Sequence, residues 1–271
     1  MGVVNVTPDS FYDGGRYLAA DASRAQVDRL LDEGAHIIDV GAESSRPGAA
    51  VVPAAEQLDR IDAALRHAVA RGAVVSVDTT SPEVALRALA LGARIVNDVS
   101  CLASEELARV TARAGATLVL MHARGPMSAQ PGFSVYPESG YQDVVLEVRA
   151  EWRSARDRAL AAGLDARDVW LDPGLGFAKN ARQSFELLAR LGELASEGVP
   201  VVVGPSRKSF IASVDGSPPE ERLGGTIAAC LAAVERGACV LRVHDVRAVR
   251  QALAVARLSR RASSEPEAAH A

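Results

Sequence analysis

Asp172-Pro173-Gly174-Leu175-Gly176-Phe177-Ala178-Lys179 directly follows the apolar run Val169-Trp170-Leu171, so a buried strand would deliver a carboxylate into a glycine-rich loop that ends in a cation. Such a loop has the ingredients of a ligand site. Other apolar runs stop at polar residues in the same way: Asn5 follows Gly2 to Val4, Asp39 follows His36 to Ile38, Asp78 follows Ala73 to Val77, and Asn97-Asp98 follow Arg94 to Val96. His122 follows Thr117 to Met121, Gly204 and Ser206-Arg207-Lys208 follow Val201 to Val203, and Arg242, His244 and Asp245 close the run from Cys239 to Val243.

The residue types specify what each end can do. Asp78, Asn97 and Asp172 would converge on one pocket if their strands share a sheet. Buried carboxylates are costly unless donors meet them, and a nitrogen heterocycle with amino and ring N–H groups would do so bidentately. For Asp78, ahead of Thr79-Thr80-Ser81, capping of the next helix is the plain alternative. Ser206-Arg207-Lys208-Ser209 brings two cations and two hydroxyls to the start of a helix, a suitable anion site. Arg242 and His244 alternate on a strand, so both side chains point one way and can join Lys208 around a multiply charged anion. Arg46, in a loop braced by Pro47 and Gly48, offers a planar fork for carboxylate or phosphate, or is a solvated loop residue. The stretch Asn5 to Gly15 carries an amide, two carboxylates and two aliphatic hydroxyls suited to a hard cation such as Mg²⁺, although its Thr-Pro-Asp-Ser and Asp-Gly-Gly groupings are also turn formers. His122 lacks a nearby second histidine and is not read as a metal ligand.

These ends must be positioned by something regular. Helical spacing runs through Asp21 to Glu33, Pro53 to Ala70, Ser81 to Leu91, Ser104 to Ala114, Tyr141 to Ala162, Ala181 to Ser196, Pro219 to Arg236 and Val246 to Ser259. Asp21, Ser81 and Ser104 stand as N-caps, and glycines such as Gly92 and Gly163 stand at helix ends. Eight strand-to-helix units in about 260 residues, with strands too apolar to have a wet face, predict an α/β (β/α)8 barrel. A doubly wound open sheet is the competing architecture. The barrel is expected over 1–259, with 260–271 a disordered tail rich in Ser, Glu, Pro and Ala. Functional residues should gather at the C-terminal strand ends, where the loops after strands one, two and five are the long ones.

Composition narrows the partners. With 48% hydrophobic residues the chain can bury a large core, and its net charge of −4 provides no general positive field for nucleic acid. Three cysteines without CxxC spacing read as ordinary thiols. No apolar run approaches the roughly 20 residues of a membrane span, so a cytoplasmic protein is expected.

In these blocks, from Asn5-Val6-Thr7-Pro8-Asp9-Ser10-Phe11 through Asp39 to Gly48, Ser76-Val77-Asp78, Ile95 to Asp98, Met121-His122, Asp172 to Lys179, Ser206 to Ser209 and Arg242 to Asp245, the chain resembles the dihydropteroate synthases. The resemblance implies a homodimeric barrel that condenses 4-aminobenzoate with 6-hydroxymethyl-7,8-dihydropterin pyrophosphate, releases pyrophosphate, and is a sulfonamide target in folate synthesis. It implies that Asp78, Asn97, Met121, Asp172, Phe177 and Lys208 hold the pterin, that Arg46, Arg242 and His244 hold pyrophosphate, and that Asn5 ligates Mg²⁺. Phe11, Ser45, Pro47, Phe177, Lys208 and Ser209 would contact 4-aminobenzoate, and Asp9, Arg46, Asp78, Asp172 and Lys208 would act in catalysis. Ser45 stands where the family usually has Thr, Tyr12 where it has a small residue, and Ala178 where it commonly has Gly. A non-catalytic pterin-binding homologue and a pterin-dependent methyltransferase barrel are the alternatives.

Overall fold

Val, Ile and Leu fill the strand runs because both faces of a covered parallel sheet are dry. The computed structural model describes residues 1–7, 16–43, 48, 51–125, 129, 132 and 134–264. Its strands are β1 (Gly2–Asn5), β2 (Ile37–Gly41), β3 (Val74–Asp78), β4 (Ile95–Asp98), β5 (Thr117–Met121), β6 (Val169–Asp172), β7 (Val202–Val203) and β8 (Val240–Leu241). Strands β1 to β6 pair in parallel in chain order, and β7 pairs with β8. Two bridges join these groups. Leu171 pairs with Val201 and Gly2 with Val243, supported by Leu171 N–H to the Pro200 carbonyl at 2.9 Å and Val243 N–H to the Met1 carbonyl at 3.0 Å. The ring is therefore closed, and the doubly wound alternative, which would leave free edges, is excluded.

Alternation along the strands builds the interior in layers. Ile37, Ile95, Val119, Trp170, Val202 and Val240 pack together as an apolar plug. Two residues further along each of those strands stand Asp39, Asn97, Met121, Asp172, Gly204 and Arg242. The plug thus carries a polar floor above it. The intervening residues, among them Ile38, Val96, Leu118, Leu120, Leu171 and Val203, join the main core with the helices.

The surrounding helices are α1 (Arg16–Asp32), α2 (Ala54–Ala70), α3 (Pro82–Ala90), α4 (Glu105–Arg113), α5 (Val144–Ala161), α6 (Ala181–Ala189), α7 (Leu191–Ala195), α8 (Ser209–Asp215), α9 (Leu223–Glu235) and α10 (Val246–Ser264). Ser81 caps α3 ahead of Pro82, as its type predicts, while Ser104 occupies the N-cap of α4 without a side-chain bond. Gly92 at φ 111° and Gly163 at φ 107° take the left-handed form that ends a helix. Three boundaries differ from the sequence expectation. Helix α1 begins ahead of Asp21, which lies inside it and pairs with Arg24 at 2.9 Å instead of capping. The run from Ala181 to Ser196 breaks at Arg190, whose guanidinium binds Asp143, Glu186 and Glu193 at once. Helix α10 continues past Ser259 to Ser264, so the tail expected from Arg260 starts helical; residues 265–271 lie outside those described. No helix among the described residues is long and apolar enough to cross a membrane.

Candidate active site

Register brings the polar strand ends together. Asn5 is beside Gly41, Gly41 beside Asp78, Asp78 beside Asn97, and Met121 beside Asp172. Gly41 keeps this rim open, because a Cβ there would lie 3.2 Å from that of Asp78 and 3.7 Å from Asn5 Oδ1.

Arg242 crosses the mouth from β8. Its Nε donates to Asp39 Oδ2 at 2.6 Å and its Nη2 to Asp78 Oδ2 at 2.7 Å. Asn97 Nδ2 donates to the same Asp39 oxygen at 3.3 Å, so one carboxylate joins Arg242 to Asn97. The other oxygen, Asp39 Oδ1, is buried without a hydrogen bond, as is Ser76 Oγ on the adjoining strand position. Burial drives the Asp78 pKa up to about 7, with Arg242 opposing and Asp39 reinforcing the rise. Asp172 is likewise raised by burial, although Lys208 and a 2.7 Å bond from Gly174 N–H favour its charged form.

Lys208 comes from the loop after β7. Its Nζ donates to the Leu175 carbonyl at 2.6 Å and lies 4.4 Å from the Phe177 ring centroid. Burial lowers its pKa to about 8, with Asp172 pulling upward. Phe177 packs with Met121 and Ala123, which supplies one apolar wall. Ser209 Oγ is 2.7 Å from Ser134 Oγ, tying the loop after β5 to the start of α8.

Arg207, His244 and Lys179 each have a protein partner. Arg207 does not join Lys208 as a second free cation, because Asp245 binds it through two bonds of 2.8 and 2.7 Å. His244 Nδ1 lies 3.0 Å from Ser206 Oγ, whose oxygen accepts the His244 N–H at 3.2 Å. Burial first, then Arg242, pushes the His244 pKa down to about 4. It is therefore a neutral N–H donor at neutral pH. Lys179, the cation that ends the glycine-rich loop, is fully buried and bonds to His122 and the Phe177 carbonyl. Its pKa falls to about 7 through burial, against the pull of Asp172. Asp9, Phe11, Ser45, Arg46 and Pro47 lie outside the described residues.

Among the described residues no group of three His, Cys, Asp or Glu side chains converges as a protein-only metal cage. Asn5 offers one hard oxygen beside the open Gly41 rim. That suits Mg²⁺, which takes few protein ligands and fills its octahedron with phosphate oxygens and water.

Sequence reasoning gave no role to Asp39, although its place at an apolar run was visible. The signal was its inward parity with Ile37, two residues earlier. Comparison with known proteins agrees with the geometry. The profile of the family described as pterin binding enzyme matches residues 1–244. Dihydropteroate synthase of Mycobacterium leprae is 45% identical over 262 residues, covering 94% of this chain and 91% of its own. The solved dihydropteroate synthase of Xanthomonas albilineans with 4-aminobenzoic acid superposes with a TM-score of 0.88 at 41% identity, covering 98% of this chain and 93% of that one. The same enzyme with 7,8-dihydropteroate gives 0.85 at 39%, covering 98% and 94%. The closed barrel, its polar floor and these likenesses place the chain in the pterin-binding enzyme family, among the dihydropteroate synthases.

Proposed function

We propose that the polar floor carries the condensation of 6-hydroxymethyl-7,8-dihydropterin pyrophosphate with 4-aminobenzoate. The carrying observation is the Arg242 guanidinium held between Asp39 and Asp78 at the mouth of a pocket that also presents Asn97, Asp172 and Lys208. One end of that pocket suits a pterin and the other an anion.

Asp78, Asn97 and Asp172 meet the ring N–H and amino groups, with Met121 and Phe177 along its apolar face and Lys208 donating beside it. Arg242, through the Nη1 that neither Asp39 nor Asp78 takes, and Arg46 hold pyrophosphate, and His244 adds a neutral N–H. Asn5 would hold Mg²⁺, which when bound supplies positive charge next to the leaving oxygens. The C–O bond breaks with its electron pair going to pyrophosphate, and the exocyclic methylene becomes electron-poor. Asp78, Asp172 and Asp9 stabilise that positive charge electrostatically. The arylamine nitrogen then forms the new C–N bond and loses a proton. Phe11, Ser45, Pro47, Phe177, Lys208 and Ser209 form the 4-aminobenzoate pocket, which a sulfonamide would share. We place the protein in the cytoplasm as a homodimer, with the Ala-rich α9 as a candidate contact.

The test is pyrophosphate release with both substrates and Mg²⁺, omitting each component in turn. Release that needs all three, with dihydropteroate formed, is expected. Tight pterin binding without release would replace this reading with the non-catalytic homologue.

A further inference from the structure

We infer that Lys179 is a positioning residue: held by His122, it clamps the Phe177-Ala178 segment and thereby sets the wall against which the arylamine substrate is seated. This rests on the synthase reading above. Lys179 is 0% exposed, and the condensation as derived makes no use of its charge. Its Nζ has three acceptors: the Phe177 carbonyl at 2.9 Å, His122 Nδ1 at 2.9 Å and the His122 carbonyl at 3.5 Å. Glu151, an ionised carboxylate that only accepts, faces Nε2, so the neutral histidine carries its proton there and turns the Nδ1 lone pair toward the lysine nitrogen. That fixes the ring as the neutral Nε2–H tautomer, and Nε2 then donates to Glu151 Oε2 at 2.9 Å.

The network has a second arm. Glu151 also accepts from Arg124 Nε at 3.0 Å, and the Arg124 guanidinium lies 3.8 Å from the Tyr141 ring centroid. Tyr141 hydroxyl donates to the Ala178 carbonyl at 3.0 Å. Two consecutive carbonyls, those of Phe177 and Ala178, are therefore held from one connected set of side chains. Between them Ala178 has φ +47°, a left-handed form that a residue with a Cβ keeps only where its surroundings over-determine it. The product of this constraint is the placement of Phe177, which packs on Met121 and lies beside Lys208. Releasing the clamp would loosen the aromatic wall while leaving Asp78, Asn97 and Arg242 on their strands.

Kinetics on Lys179→Met, His122→Leu and His122→Asn test this. Lys179→Met and His122→Leu should raise KM for 4-aminobenzoate ~10-fold or more and KM for the pterin pyrophosphate clearly less, because Phe177 meets both substrates but the pterin keeps Asp78, Asn97 and Asp172 on their strands. His122→Asn, whose amide oxygen can replace the Nδ1 acceptor, should return the value to within ~3-fold of wild type. Equal-fold changes in the two KM values, a fall in kcat alone, or His122→Asn as impaired as His122→Leu would overturn the clamp. If Lys179→Met does not fold, the histidine pair decides. Amide exchange across residues 174–180 in the same variants separates the two readings. A wild-type protein that makes no dihydropteroate would sink the assigned reaction, whereas unaltered exchange in His122→Leu would sink the clamp.

Discussion

At Asp78 burial and a neighbouring carboxylate outweigh Arg242, so the carboxyl protonates near pH 7. A protonated group cannot stabilise positive charge on the pterin methylene. Activity should therefore fall as pH drops through about 7. Lys208, lowered to about 8, loses its proton above that value, so kcat/KM for the pterin substrate should be bell-shaped between these limbs. His244, at about 4, stays neutral throughout and contributes neither limb. A pH–rate profile that is flat from about pH 6 to 9 would remove both assignments. Asp78→Asn keeps the shape and removes the charge, and Arg242 retains Asp39 as partner. It should cut kcat by roughly 100-fold or more with a nearly unchanged melting temperature; full turnover in the mutant would take Asp78 out of the mechanism.

The glycine-rich loop after β6 shows how an element can be specified by backbone shape. Gly174 has φ +67°, and a Cβ there would lie 2.1 Å from the His122 carbonyl oxygen. That atom belongs to backbone and cannot swing aside. Gly174→Ala should destabilise the fold by about 1–3 kcal/mol in urea titration, with a matching loss of activity, since Gly174 N–H also holds Asp172. Four residues later the sequence makes the opposite choice, placing alanine in a left-handed position. Ala178→Gly should relieve strain and stabilise by about 0.5–1 kcal/mol if Tyr141 keeps its bond to that carbonyl. A loss of stability would show that this turn is unstrained.

Across the whole barrel, Arg242 ties the last strand to the second and third through Asp39 and Asp78. Removing the arginine leaves two carboxylates facing each other in a poorly solvated place. Arg242→Met should lower stability by about 3–5 kcal/mol, beyond what a surface arginine would cost, and adding Asp39→Asn should recover part of it. Strictly additive losses in denaturant melts would mean that the cluster has no structural role. Closure itself depends on short contacts, the Gly2–Val243 and Leu171–Val201 bridges, which connect strands of only two residues each to the longer six-stranded arc.

The strand positions, the helix-ending glycines and the parity that points Asp78, Asn97, Asp172 and Arg242 inward were all legible in the chain. Each follows from local rules of period two, cap chemistry and apolar runs. Local rules left Lys179 and Arg207 beside Lys208 as cations near the strand ends and could not tell which of them packing would withdraw. Both side chains leave the mouth, one for His122 and the Phe177 carbonyl, the other for Asp245. The protonation states of Asp78 and His244 were equally out of reach, because they depend on how deeply neighbouring elements bury them. Sequence by itself determined which residues could reach the end of a strand. Which cation stays available for substrate was decided by tertiary packing, since that depends on partners 38 residues away for Arg207 and 57 for Lys179, brought close only when the barrel closes.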